Sequence, residues 1–335
     1  MRCRLIMIIS VLVLALAGCA GAGSSDAEPR PIRVALDWTP NTNHTGLFVA
    51  QQEGWFREAG LDVEFLPYNN TSPDTLVASG AADFGISFQD SFTFSKAAGA
   101  DITSVMAILQ TWATQIAVRA DRADIRTPAD LDGKTYGGFG AAYEVPKMRA
   151  VIQDAGGRGE FTNVVLGTAA YEALYSGAVD FTEPFVAWEG IEAQLRNQPL
   201  KTFAYTDYGF PDAYNVLLIA NSTWLRDNPD TARAFVRAAQ RGYQLGADDP
   251  ARGAELLMAA NPGAFTEPEL VRRSQDMLAA SFLRDPSGRV GRQTLEKWAG
   301  FSGFLVDAGV LAGPDGAPLR TRPDFATWFT NDLLA

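Results

Sequence analysis

The stretch Leu36-Asp37-Trp38-Thr39-Pro40-Asn41-Thr42-Asn43-His44 decides how the chain is read. It follows a short apolar run from Ile32 to Leu36, which predicts a first β-strand. It precedes Gly46 to Phe56, which predicts a helix. A strand that ends in an acid, an indole and several amides, then opens a helix, is built like a pocket wall. Open α/β sheets bind ligands outside the carboxyl ends of their strands, where these residues project. A plain polar loop is the competing reading, and the rest of the chain has to decide between them.

Outward from that stretch the pattern repeats. Leu61 to Leu66 alternates as a half-buried strand does, Pro73 to Gly80 predicts a short helix with its stop, and Ala82 to Ser87 predicts another strand. That strand ends in the polar cluster Ser87, Gln89, Asp90 and Ser91. A helix through Ala98 and a strand from Ile102 to Leu109 follow. Strands alternating with helices across short turns predict a parallel sheet covered by helices. A second, smaller α/β unit begins with a strand from Gln115 to Arg119. It contains the Gly-rich run Gly137-Gly138-Phe139-Gly140-Ala141-Ala142-Tyr143-Glu144 leading into a helix from Val145 to Ala155. It continues with strands at Phe161 to Leu166 and Ala178 to Phe181, and with a helix beginning Trp188-Glu189-Gly190. Tyr214 to Ala220 predicts a return strand. Helical patterns then cover Thr231 to Leu245, Ala251 to Ala260, Glu267 to Ala280, Gly291 to Ala308 and Asp324 to Leu334. The implied architecture is α/β with two lobes: lobe 1 from 32–115 and 212–335, lobe 2 from 116–211. Two crossings near 115–120 and 208–215 join them, and a cleft between lobes is a favoured ligand site.

Composition bounds the function. The chain has 335 residues, with 47% hydrophobic and 20% charged residues, which suits one large or two ordinary folded domains. A net charge of −11 with no basic patch argues against nucleic acid as a partner. At the start, Arg2 and Arg4 precede a thirteen-residue apolar run from Leu5 to Ala17, a length that suits a signal peptide and is too short to span a bilayer. The run ends Leu16-Ala17-Gly18-Cys19, similar to a bacterial lipobox. Residues 1–18 are therefore expected to be a lipoprotein signal, Cys19 the lipidated first residue of the mature chain, and 19–31 a flexible tether. Removal of Arg2 and Arg4 makes the mature charge 26 − 39 = −13, and Cys19 is then the single cysteine, so no disulfide forms within one mature chain.

With lipobox, L-D-W-T-P-N-T-N-H-T-G-L-F-V-A and G-W-F-x-x-x-G-L-D-V in place, the chain resembles the substrate-binding lipoproteins of bacterial ABC importers. It resembles in particular the group that binds thiamine pyrimidine precursors. S-G-A-A-D-F-G-I-S, Y-G-G-F-G-x-x-Y-E and A-W-E-G-I-E-A extend the match, which covers about residues 32 to 330. The resemblance implies a type II periplasmic-binding-protein fold whose lobes close by hinge bending. It also implies a lipid-anchored, extracytoplasmic monomer that hands a flat heterocycle to a permease with an ATPase partner. Nitrate-, sulfonate- and riboflavin-type relatives share much of the frame. Fungal thiamine-pyrimidine synthases share the opening pattern too, but carry a lysine and a histidine where this chain has Ser87 and Ser91. They also have a cysteine-rich stretch where Gly209 to Asn215 has none. A binding protein without enzymatic activity, cofactor or metal is expected.

The candidate ligand residues follow from chemistry and resemblance together. An aminopyrimidine has a flat face for an indole and an amino edge for a carboxylate, which makes Asp37 and Trp38 one jaw. Glu189, beside Trp188 in the A-W-E-G motif, is the second acid. A Glu in a first helical turn is equally explained by the helix dipole. The Gly-rich loop at a helix N-terminus could hold an anion, but Phe139, Tyr143 and Glu144 give it an aromatic and acidic lining. Ser87, Gln89, Glu183 and Tyr214 complete the set as polar groups at strand ends, with an ordinary loop as the alternative. His44, the one histidine, lacks companion ligands for a metal and is expected to be structural or a polar contact at the rim.

Overall fold

The computed structural model describes residues 28–69, 71–141 and 143–335. The expected signal peptide and lipobox, with Cys19, lie outside the described residues. β1 (Arg30–Ala35) takes in Arg30 and Pro31, which the sequence reading assigned to the tether; they pair with Leu61 and Asp62 of β2 (Leu61–Leu66). Backbone pairing needs no side-chain period, so the short polar lead-in to the strand was invisible in the pattern.

The main sheet adds β3 (Phe84–Ser87), β4 (Ile102–Ala107) and, much later in the chain, β9 (Leu217–Asn221), in the order β2-β1-β3-β9-β4. Alternate residues sort to opposite faces, as the two-residue strand period requires. Ile32, Val34, Leu218 and Ala220 enter one core cluster; Ala35, Leu217 and Ile219 enter the other. The first cluster is closed by Leu47 and Phe48 of the helix Thr45–Gln52 and by Phe235 and Val236 of the helix Pro229–Asp248. The sheet is mixed rather than parallel: β9 runs antiparallel to both β3 and β4 and separates them. A local alternation of strands and helices cannot reveal a strand inserted from far along the sequence.

The second region holds β5 (Ile116–Arg119), β6 (Thr135–Gly138), β7 (Thr162–Val165) and β8 (Leu200–Phe203). β5 pairs antiparallel with β8, and β6 parallel with β7. β8, which starts three residues after the turn at Asn197, has no counterpart in the sequence reading. The strand expected at Ala178 to Phe181 is reduced to single bridges, Tyr136 with Phe181 and Ala117 with Thr182, which knit the two pairs together. At the end of the chain, the helix expected from Gly291 starts at Leu295. Thr294 caps it by accepting the Lys297 N–H, while Val290 and Gly291 form bridges. The helix expected over Asp324 to Leu334 is one 3-10 turn, Phe325–Thr327, because Phe329 bridges to Ser104 instead.

The connections between the two regions run over residues 108–115 and 204–216, the first ahead of β5 rather than through it. They are stapled side by side. Asn215 Oδ1 accepts the N–H groups of Ala113 and Thr114, at 2.7 and 2.9 Å. Asp212 Oδ1 accepts from the Thr111 hydroxyl at 2.6 Å, and Trp112 Nε1 donates to the Pro211 carbonyl at 3.0 Å.

Candidate functional site

A cavity of about 430 Å³ opens between the two regions, walled from one side by the ends of β1 and β3 and from the other by the Gly-rich loop and the Glu183–Glu189 segment. Its lining includes six carboxyl side chains, those of Asp37, Asp74, Asp90, Glu144, Glu183 and Glu189, and, among the described residues, no lysine, arginine or histidine. Aromatic rings make up much of the remainder.

The opening stretch is held by its own amides. Asn41 caps the 3-10 turn Thr42–His44, its Oδ1 accepting the Asn43 N–H at 2.9 Å. The turn buries His44 completely, and its Nδ1 accepts the Asn41 N–H at 3.3 Å. With Nδ1 an acceptor, the ring proton of the neutral tautomer sits on Nε2, which donates to Asp37 Oδ1 at 2.7 Å. The lone histidine thus orients Asp37 and leaves the second carboxylate oxygen for the cavity. Trp38 is half-buried beside the Tyr68 ring, with centroids 5.3 Å apart.

The Gly-rich loop is already occupied by an anion of the chain itself. Glu144 opens the helix Glu144–Asp154. Its Oε1 accepts the Ala141 N–H at 2.6 Å, and its Oε2 accepts the Phe139 N–H at 2.8 Å and the Tyr136 hydroxyl at 3.2 Å. Gly138 permits this closeness: a Cβ there would lie 2.6 Å from Glu144 Oε2. Two N–H groups that could help to cradle a phosphate or sulfonate, those of Phe139 and Ala141, are therefore spent.

Behind the cavity, Lys147 is buried between two carboxylates, Asp90 Oδ2 at 3.1 Å and Glu183 Oε1 at hydrogen-bond contact. Trp112, Tyr143 and Tyr205 surround its ammonium at 5.0 to 5.3 Å from their ring centres. Burial alone would lower the lysine's pKa, but the two carboxylates outweigh it and the net shift is upward. Asp90 stands in the main-sheet region, Lys147 and Glu183 in the other, so this ion cluster ties the two halves together.

Glu189 begins the helix Glu189–Leu195, and its Oε2 accepts the Phe185 N–H at 3.0 Å. Burial pushes its carboxyl up to about 7, with the Glu192 charge adding and backbone hydrogen bonds opposing. The site therefore holds a proton near neutrality.

Of the residues singled out from sequence, Asp37, Trp38, Ser87, Phe139, Tyr143, Glu144, Glu183, Trp188 and Glu189 line the cavity. Gln89 and Tyr214 do not. Gln89 is the first residue of the helix Gln89–Ala97, and successive helical residues point about 100° apart, so Asp90 takes the cavity side. Gln89 Oε1 instead accepts the Tyr214 N–H at 2.7 Å. The Tyr214 ring packs in the second core cluster, and its hydroxyl accepts the Thr294 N–H at 2.8 Å. Both residues hold the return crossing in place. Asp74, Tyr68 and Tyr171 line the cavity without having been singled out. Asp74 looked like an ordinary acid in a first helical turn, a position the helix dipole favours anyway.

Comparison with known proteins adds an independent line. A sequence model of the family described as NMT1/THI5 like matches residues 41–253. The formylaminopyrimidine-binding protein of Halalkalibacterium halodurans is 30% identical over 82% of this chain and 84% of its own. The 4-amino-5-hydroxymethyl-2-methylpyrimidine phosphate synthase of Uromyces fabae is 26% identical over 65% of this chain and 67% of its own. Among solved structures, the alkanesulfonate-binding protein SsuA of Xanthomonas axonopodis pv. citri superimposes with a TM-score of 0.67 at 18% identity. It covers 92% of this chain and 100% of its own. That likeness establishes the fold as that of the periplasmic binding proteins.

Proposed function

The chain belongs to the NMT1/THI5-like family, and on that premise we propose that it is the extracytoplasmic solute-binding component of an ABC importer, capturing a thiamine pyrimidine precursor of hydroxymethylpyrimidine or formylaminopyrimidine type. The observation that carries the ligand class is the wall chemistry: six carboxyl groups and, among the described residues, no cationic side chain, with the Phe139 and Ala141 N–H groups of the loop already taken by Glu144. An anion entering this cavity would meet an acidic wall, and the nearby Lys147 is already paired with Asp90 and Glu183. An amino-bearing aromatic ring meets acceptors at its edge and indoles at its faces.

In this reading Asp37 and Glu189 take the amino edge, and Trp38 and Trp188 cover the ring. The two lobes, 32–115 with 212–335 and 116–211, close on the ligand about the paired crossings. The signal in 1–18 exports the chain, Cys19 anchors it by lipid to the outer face of the cell membrane, and a permease with its ATPase receives the ligand. No bond is made or broken. The fungal relatives named as synthases raise an enzymatic alternative; against it stands the resemblance, which implies a lysine and a histidine in the synthases where this chain has Ser87 and Ser91.

Titration calorimetry of the purified protein against 4-amino-5-hydroxymethyl-2-methylpyrimidine, its formylaminomethyl counterpart, riboflavin and taurine tests the assignment. Saturable binding of the aminopyrimidines alone is expected. Tight taurine or riboflavin binding with no response to aminopyrimidines would sink it.

A further inference from the structure

A second cavity, of about 380 Å³, lies against the helix Pro229–Asp248 and shares no lining residue with the first. Its chemistry is the reverse of the cleft's. Arg237, Arg241, Arg289 and Arg292 line it, and among the described residues no aspartate or glutamate does. The chain as a whole has a net charge of −11, so four arginines in one hollow concentrate positive charge against the overall balance.

Three stretches far apart in the sequence build the walls: a flank of the helix Pro229–Asp248, the segment around Val290, and residues 331–335. Two amides staple them. Gln240 Nε2 donates to the Val290 carbonyl at 2.9 Å, and its Oε1 accepts the Ala335 N–H at 2.8 Å. Asn331 Oδ1 accepts the Gln293 N–H at 3.0 Å, and its Nδ2 donates to the Gln293 carbonyl at 2.8 Å. These amides are spent on the frame, and the arginines are left over. The Arg237 guanidinium meets the Leu334 carbonyl at 3.5 Å, and neither it nor Arg292 has an acidic partner among the described residues. Arg241 faces Glu58 at 3.5 Å and Arg289 faces Asp285 at 3.6 Å. Exposed ion pairs of that length contribute little and release easily. A carboxylate on Ala335, the last residue of the sequence, would offset one of the four charges.

Guanidinium groups are planar forks that bond oxyanions through paired N–H contacts, and several around one hollow suit a group with several charged oxygens better than a single carboxylate. The volume leaves room beside that group for whatever it is esterified to. We propose that this cavity is a second ligand site, separate from the cleft, that binds a phosphate-bearing anion through Arg237, Arg241, Arg289 and Arg292. Nothing in it depends on what the cleft holds. Two sources carry that group, a free phosphate ester and the headgroup of an anionic lipid. Arg30, the first residue of β1, donates to Thr231 Oγ1 at 2.9 Å, and Arg237 stands about 9 Å further along the same helix. The cavity thus lies near the point where the expected tether joins the fold, which makes the lipid source one to separate from the free one.

Calorimetry at fixed ionic strength with glycerol 3-phosphate and with short-chain dihexanoyl phosphatidic acid is the test. Saturable binding of at least one is expected, and the tighter of the two identifies the source. Arg237→Gln with Arg292→Gln should weaken it by about tenfold or more, the scale of a lost charge-assisted hydrogen bond. Both side chains are exposed, so the fold should stand. Arg126→Gln with Arg320→Gln removes the same charge from exposed positions outside the cavity and should change affinity by less than about twofold. No saturable binding of either compound, unchanged affinity in the cavity variant, or equal weakening in both variants overturns the assignment. Phosphate binding lost in the cavity variant alone supports it even if wild type takes up no aminopyrimidine, a result that would fall on the cleft reading only.

Discussion

Replacing Glu189 with glutamine should stabilise the ligand-free protein at alkaline pH and leave its stability at acid pH unchanged. The carboxyl is 8% exposed, and burial lifts it from an ordinary 4.5 to about 7. An acid with a higher pKa in the folded state holds its proton more tightly there than in the unfolded chain. Below about pH 4.5 it is neutral in both states and contributes nothing. As pH rises from about 4.5 to about 7 the unfolded chain ionises first, native stability falls, and above that window the full penalty applies. The difference between 4.5 and about 7, at about 1.36 kcal/mol per pH unit, comes to about 3 kcal/mol. Glutamine is neutral throughout, and its carbonyl can still accept the Phe185 N–H that Glu189 now takes at 3.0 Å. Urea denaturation of both proteins at about pH 4 and about pH 8.5 should show midpoints that coincide at the lower pH and diverge in the variant's favour at the higher. A pH-independent difference, or a variant less stable at alkaline pH, would refute the reasoning. The gain is a measure of what the site gives up for its ligand: the same carboxylate that destabilises the empty protein is the acceptor proposed for the amino group.

Three further outcomes are expected. Lys147→Met leaves Asp90 and Glu183 buried without their shared cation and should reduce stability by about 3–5 kcal/mol in urea denaturation; adding Asp90→Asn and Glu183→Gln should recover much of it. Glu144→Ala frees the Phe139 and Ala141 N–H groups and should lower stability by about 1–3 kcal/mol. Formate should raise that variant's melting temperature above a chloride control and do nothing for wild type. Asp37→Ala should weaken aminopyrimidine binding by about 1.5–3 kcal/mol in calorimetry with the denaturation curve shifted far less; unchanged affinity would remove Asp37 from the site.

Nine of the eleven residues singled out from the sequence line the cavity, and the two that do not, Gln89 and Tyr214, turn away for the same reason. Asp37 and Trp38 end a strand and so must project from the sheet's carboxyl edge. Glu189 and Trp188 open a helix after a turn, which aims them at the same space. Gln89 and Tyr214 also sit at element ends, yet they bond to each other across the return crossing. Whether a strand-end side chain faces a cleft or a neighbouring crossing depends on where the second segment passes, and that is a long-range fact.

The sequence by itself determined the strands β1 to β5, β7 and β9 and most of the helices around them, through local periods and caps, and it pointed to the family through contiguous motifs. The tertiary structure alone decided that β9 runs antiparallel between β3 and β4, and that Lys147 lies between acids from both halves. It also decided that Glu144 fills its own loop and that His44 aligns Asp37. Each of these is a pairing between groups whose partner is set by the path of the backbone. Periodicity records which way a side chain faces; only the folded chain supplies what it meets there.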